Sequence, residues 1–129
     1  MSFNKNMRVV IVDDYTTMLR ILRNLLRQLD LNNVEEANDG DTAFRLMQKS
    51  PPDLIISDWN MAPVTGLDLL RQVRADARLR HIPFIMVTAE SKTENVIVAK
   101  QAGVSNYIVK PFNADTLRAK IASVCPAMV

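Results

Sequence analysis

Five polar side chains stand where short apolar runs end. Arg8-Val9-Val10-Ile11-Val12 leads into Asp13 and Asp14, and Leu54-Ile55-Ile56-Ser57 into Asp58. Phe84-Ile85-Met86-Val87 leads into Thr88, and Tyr107-Ile108-Val109 into Lys110. If the runs are parallel strands of one sheet, their successors meet at its carboxyl edge, where open α/β sheets take ligands. Three carboxylates there would repel one another, so they either hold protons or recruit a cation. An all-oxygen donor set favours a hard ion such as Mg²⁺, with Mn²⁺ as a substitute. Lys110 brings a point charge suited to phosphate and Thr88 brings a hydroxyl, so the chemistry indicated is phosphoryl transfer.

Asp58 stands alone after its strand, whereas Asp13 and Asp14 are adjacent. Neighbouring residues rarely aim at one point, but both can serve one ion if one acts through water. The assignment is therefore Asp58 as acceptor, forming an acyl phosphate, and the acidic pair as metal ligands. Taken singly, each residue has an ordinary explanation. An Asp after a strand commonly forms a turn, and Asp14 could cap the following helix. The signal is the joint occurrence at four strand ends.

The elements that must position these groups follow from periodicity. Leu19, Leu22, Leu26 and Leu29 recur at helical spacing, widened by Met18, Ile21 and Leu25, while Arg20, Arg23 and Arg27 lie mostly off the stripe and are expected in solvent. Val34-Glu35-Glu36-Ala37 is a polar, weak strand suited to a sheet edge, followed by the turn Asn38-Asp39-Gly40-Asp41. Ala43, Leu46 and Met47 mark a helix stopped at Ser50-Pro51-Pro52. Thr65 with Asp68, and Ser91 with Glu94, have capping-box spacing. The first opens a helix carrying Leu67, Leu70, Val73 and Arg74, and the second one with Val96, Val98 and Ala99. Gly103 suits a helix C-terminus, and Asn113 an N-cap ahead of Leu117, Ile121 and Val124. Five strands alternating with five helices predict an α/β fold with a parallel sheet.

The chain has 129 residues, 48% hydrophobic and 23% charged, with net charge +2 and one cysteine. Residues 1–129 are read as one domain with a core of about 7–125, large enough to fold without disulfides or metals. Basic residues are scattered and aromatic content is 5%, which argues against nucleic-acid binding. Met1–Asn6 lacks the apolar core of a signal peptide and no run is long enough to span a membrane, so a cytoplasmic protein is expected. Cys125 is read as a small hydrophobe near the end of the last helix, and His81 as an exposed loop residue.

Ser57-Asp58-Trp59-Asn60-Met61, Val87-Thr88-Ala89-Glu90, Gln101-Ala102-Gly103 and Tyr107-Ile108-Val109-Lys110-Pro111-Phe112 resemble the receiver domain of two-component response regulators, most closely those of chemotaxis. The resemblance implies a flavodoxin-like (βα)5 three-layer sandwich with strand order 2-1-3-4-5; the order comes with the resemblance, not from the patterning. It implies that Asp58 accepts a phosphoryl group from a sensor histidine kinase. Asp14, Asp58 and the Asn60 backbone carbonyl would ligate Mg²⁺ directly, and Asp13 through water. Lys110 would contact the phosphoryl group beside a cis bond at Pro111. Thr88 would swing toward that group and Tyr107 would turn inward behind it. The surface carrying Lys92, Val96, Tyr107 and Lys120 would then change its affinity for a protein partner. The partner would be the flagellar motor switch or, alternatively, a histidine phosphotransfer protein or another protein, bound by a monomer. The chain stops soon after the last helix, so output through protein contacts is expected, not through an attached domain. Such a protein assists its own phosphorylation and dephosphorylation but is not a turnover enzyme. An aspartyl-phosphate phosphatase is the competing class. It commonly carries a second Asp two residues after the acceptor, where this chain has Asn60. One departure stands out: the family usually has Pro directly after Met61, and here Ala62 precedes Pro63.

Overall fold

In the computed structural model, which describes residues 6–89 and 93–125, the strands alternate strictly with helices. The strands are β1 (Val9–Val12), β2 (Val34–Ala37), β3 (Leu54–Asp58), β4 (Phe84–Thr88) and β5 (Asn106–Val109). The helices are α1 (Thr16–Gln28), α2 (Gly40–Lys49), α3 (Gly66–Ala75), α4 (Thr93–Gln101) and α5 (Ala114–Val124). All strand pairs are parallel, in the order β2-β1-β3-β4-β5. The expected flavodoxin-like order is thus observed, with the polar strand β2 at an edge.

Strand side chains alternate between faces, and this splits the core into two layers. Val9, Ile11, Ile56 and Ile108 face α1 and α5, packing on Leu19, Leu22, Leu26, Leu117 and Ile121. Val10, Val12, Ile55 and Met86 face the other way, onto Ala43 and Met47 of α2 and Leu69, Leu70 and Val73 of α3. Both faces of the central strands are therefore dry, which explains their near-continuous apolar runs. Each fully buried Leu or Ile contributes roughly 2 kcal/mol. Val96 and Ala99 of α4 line one hollow with Met86, which puts α4 on the same face as α2 and α3.

Caps hold the helices in register with the strand ends. Thr65 and Asp68 form the reciprocal capping box of α3, and Asn113 Oδ1 accepts from Thr116 N at the start of α5. Asp39 caps α2 through Thr42 N. Gly103 takes φ +95° just past α4, a conformation that strains any residue with a Cβ. The Ser91–Glu94 capping box lies outside the described residues.

Three expectations change. Asp58 and Thr88 are the last residues of their strands, not the first residues beyond them, because both still pair across the sheet, with Val87 and Val109. Ile21 is 43% exposed, at the outer limit of the α1 stripe. Arg23 is not simply solvated: it pairs with Glu36 and donates to the Val34 carbonyl. Edge strand β2 has no neighbour on that side to take this oxygen, so a side chain does.

Candidate functional site

β1 extends its ladder one residue past its end, with Asp13 N donating to Ala37 O at 3.2 Å. This draws the Asp13 side chain inward, where it is 1% exposed. Its Oδ1 accepts from Tyr15 N at 2.9 Å, and its Oδ2 is buried without a hydrogen-bond donor. Asp14, the next residue, is exposed. Tyr15, not Asp14, is the N-cap residue of α1, and it makes no side-chain cap. Asp14 is thus left available to the acidic cluster.

Asp58 is 4% exposed at the end of β3. Its Oδ1 lies 2.9 Å from Lys110 Nζ but off hydrogen-bond alignment, so it makes an ion pair without a true hydrogen bond. The same ammonium is 3.8 Å from Asp13 Oδ2. Lys110 reaches this point because its backbone N donates to Thr88 O at 2.8 Å, tying the end of β5 to that of β4. Thr88 is buried at that strand end.

Asp13, Asp14 and Asp58 each place one carboxylate oxygen within 4.8 Å of the others. Burial pushes the Asp13 carboxyl from its ordinary value of 3.8 to about 6. The Tyr15 N–H and Lys110 pull it down, while the charges of Asp58 and Asp14 push it further up. One ammonium cannot balance three carboxylates. Two buried oxygens that make no hydrogen bond and share a single ammonium, a raised carboxyl and an all-oxygen donor set fit a hard divalent cation such as Mg²⁺.

The loop after Asp58 is held from below. Trp59 N donates to Val87 O and Gly66 N to Trp59 O, each at 2.9 Å. A Cβ on Gly66 would stand 2.2 Å from Asp58 O and 2.9 Å from Trp59 Cα. Only glycine lets α3 start this close to the acceptor strand. The sequence contained this glycine, but nothing local indicated a backbone 8 residues upstream pressed against it. Asn60 is exposed in this loop. The Lys110–Pro111 bond is cis, as the resemblance implied, and the departure at Ala62–Pro63 is cis as well.

Of the remaining expected residues, Thr88, Val96 and Tyr107 line one apolar hollow together with Trp59, Met86, Asn95 and Ala99. Tyr107 is half-buried, with Lys120 Nζ 5.3 Å from its ring centroid. His81 is exposed and Cys125 buried, both as expected. Lys92 lies outside the described residues.

The model of the response regulator receiver domain family matches residues 9–122. The chain is 52% identical over 121 residues to chemotaxis protein CheY-3 of Vibrio cholerae, covering 94% of this chain and 93% of that protein. It is 52% identical over 118 residues to chemotaxis protein CheY of Pseudomonas aeruginosa, covering 92% and 95%. Among solved structures, V. cholerae chemotaxis protein CheY4 superposes with a TM-score of 0.86 at 33% identity, covering 92% of this chain and 98% of that one. The receiver domain of a P. aeruginosa sensor histidine kinase, with a magnesium ion coordinated in its active site cleft, superposes with a TM-score of 0.85 at 25% identity, covering 94% and 98%.

Proposed function

The chain belongs to the response regulator receiver domain family, and from that premise we propose that Asp58 accepts a phosphoryl group from the phosphohistidine of a sensor kinase. The supporting observation is the buried Asp58 carboxylate, inside an acidic cluster and 2.9 Å from Lys110 Nζ. An Asp58 oxygen attacks phosphorus, the new O–P bond forms as the N–P bond breaks, and the imidazole leaves. Asp14, Asp58 and the Asn60 carbonyl would hold Mg²⁺, with Asp13 beside them in the same acidic cluster. The ion supplies positive charge where the phosphoryl oxygens gather negative charge. Lys110 supplies a second cation and Thr88 a hydroxyl donor. Water attacking the same phosphorus returns the chain to its resting form. One phosphoryl group per cycle is a signal, not the turnover of a substrate.

The output is a change of surface. Thr88 moves toward the phosphoryl group, Tyr107 turns inward behind it, and the face carrying Lys92, Val96, Tyr107 and Lys120 changes its affinity for a partner. Ile97 of α4, 49% exposed, gives this region an uncovered apolar side chain suited to protein contact. The relatives are named chemotaxis proteins, and the partner proposed for a chemotaxis receiver is the flagellar motor switch, ahead of a histidine phosphotransfer protein. Both steps are tested together. A kinase labelled on its histidine should pass the label to this chain only with Mg²⁺. The labelled chain should then retain motor-switch protein in a pull-down more strongly than the unlabelled chain. Label retained by the kinase, or equal capture of the switch protein by both forms, contradicts the corresponding step.

A further inference from the structure

The sheet ends at β2, and half of its outer edge is left open. Val9 N donates to Asn33 O and Asp13 N to Ala37 O, so the odd-numbered residues here turn their backbone groups to β1. In a parallel ladder the residues between them face outward, and these are Val34 and Glu36. Arg23 covers Val34 O at 3.0 Å. Two residues on, Glu36 N–H and C=O have no backbone partner among the described residues. The side chains of this strand alternate in direction: Glu36 pairs with Arg23 of α1, and Glu35 with Arg8. Arg8 Nε also donates to Ser50 O just past α2, at 3.3 Å, which ties the β2 edge to the end of α2. A hollow lies on each side. The one toward α1 holds about 300 Å³ and is lined by Thr16, Leu19, Glu36, Ala37, Asn38 and Thr42. The one along α2 holds about 330 Å³ and is lined by Thr42, Arg45, Leu46 and Lys49. Thr42 belongs to both.

We propose that the β2 edge is a strand-docking site for an extended segment of a partner protein whose residues alternate apolar and acidic. An added strand sends successive side chains to opposite faces. Its backbone pairs with Glu36, and its apolar residues enter the hollow over Leu19 and Ala37. Its acidic residues enter the hollow along α2, where Arg8, Arg45 and Lys49 outnumber Glu35 and Asp41. Main-chain bonds of this kind give affinity, and pockets for alternate side chains give selectivity. A second copy of this chain fits poorly. Pairing β2 with β2 sets Glu35 and Glu36 against the same residues, and like charges directly opposite one another are unfavourable. β2 and β5 are the two edges of the sheet, roughly 19 Å apart at ordinary strand spacing. The site therefore goes beyond the phosphoryl switch: it anchors a partner whether or not Asp58 is modified.

The probe is a short blocked peptide of alternating valine and aspartate, titrated into the full ¹⁵N-labelled chain. Amide resonances should shift over residues 34–38 and 42–49, and exchange of the Glu36 amide should slow. The double variant Arg45→Glu, Lys49→Glu should bind about ten-fold more weakly, as reversed rim charges do, and so should a peptide with lysine in place of aspartate. The peptide N-methylated at alternate residues is made in both phases. One phase should lose binding, because only every second amide faces the edge, and the other should keep it. Treatment with acyl phosphate should leave the affinity unchanged. No shift at Glu36, parent-like binding by both methylated peptides, or equal binding of the lysine peptide overturns the proposal. Shifts at Glu36 that grow with protein concentration in the absence of peptide assign the edge to a second copy and overturn it too. A dependence on acyl phosphate contradicts the anchor, whereas a chain that takes up no phosphoryl group refutes the acceptor role and leaves the docking site intact.

Discussion

At the scale of single residues, Asp13 carries the clearest electrostatic consequence. Its carboxyl is raised to about 6, against an ordinary 3.8, mainly by burial. The folded chain without metal therefore binds this proton more tightly than the unfolded chain does. The stability this contributes is complete below pH 3.8 and is lost as pH rises through about 6. Asp13→Asn should consequently raise the melting temperature in the presence of a chelator at pH 7.5. The gain should shrink as pH falls through 6 and vanish near 4. Thermal melts across that range check it, and a gain that grows toward low pH has the wrong sign. Mg²⁺ should restore the parent, whose carboxylate then has a cation beside it, more than the variant. Gly66 is the second sensitive residue. The clash of a Cβ there is with backbone at 2.2 Å, which cannot rotate away. Gly66→Ala should cost at least ~2 kcal/mol in denaturant unfolding, as overpacking does, and should slow labelling of Asp58. Unchanged unfolding and labelling would mean that the loop moves aside without penalty.

At the scale of elements, one arginine joins what the sequence separates. Arg74, near the end of α3, donates to Gly103 O (2.8 Å), Ile82 O (2.7 Å), Arg80 O (3.1 Å) and Ser105 Oγ (3.3 Å). It pins the segment between α4 and β5 to the loop before β4. Burial lowers its guanidinium below the ordinary value. A lysine has no planar fork to reach these diverging acceptors, so Arg74→Lys should destabilise the chain by ~2 kcal/mol, and hydrogen exchange should quicken at Gly103–Ser105. Unaltered exchange there would show that the tie does not hold the segment. Such ties mark where sequence reading stopped. The strands at 9–12, 54–58 and 84–88 were legible because burial on both faces leaves continuous apolar runs. The caps at Thr65 and Asn113 were legible because their partners are three residues away. Strand β2 was read correctly from its polar composition alone. Arg74, Arg23 and the contact of Gly66 with Asp58 were not legible, since each depends on elements brought together only by the fold. Within the site, the three carboxylates and Lys110 were named from strand ends. The orienting Tyr15 N–H and the Lys120–Tyr107 contact had no sequence signal of their own.

At the scale of the whole molecule, a parallel sheet delivers four strand ends to one edge, and the acidic cluster exists only because the order β2-β1-β3-β4-β5 places β1 beside β3. The net charge of +2 favours partners that present acidic residues, with an association rate that falls as salt rises. All of this depends on Asp58 being the group that is modified. Intact-mass analysis after incubation with Mg²⁺ and a small acyl phosphate, followed by peptide mapping, tests that directly. One phosphoryl group should be added, located at Asp58, abolished by chelating the metal and absent from Asp58→Asn. Full uptake by Asp58→Asn would contradict it.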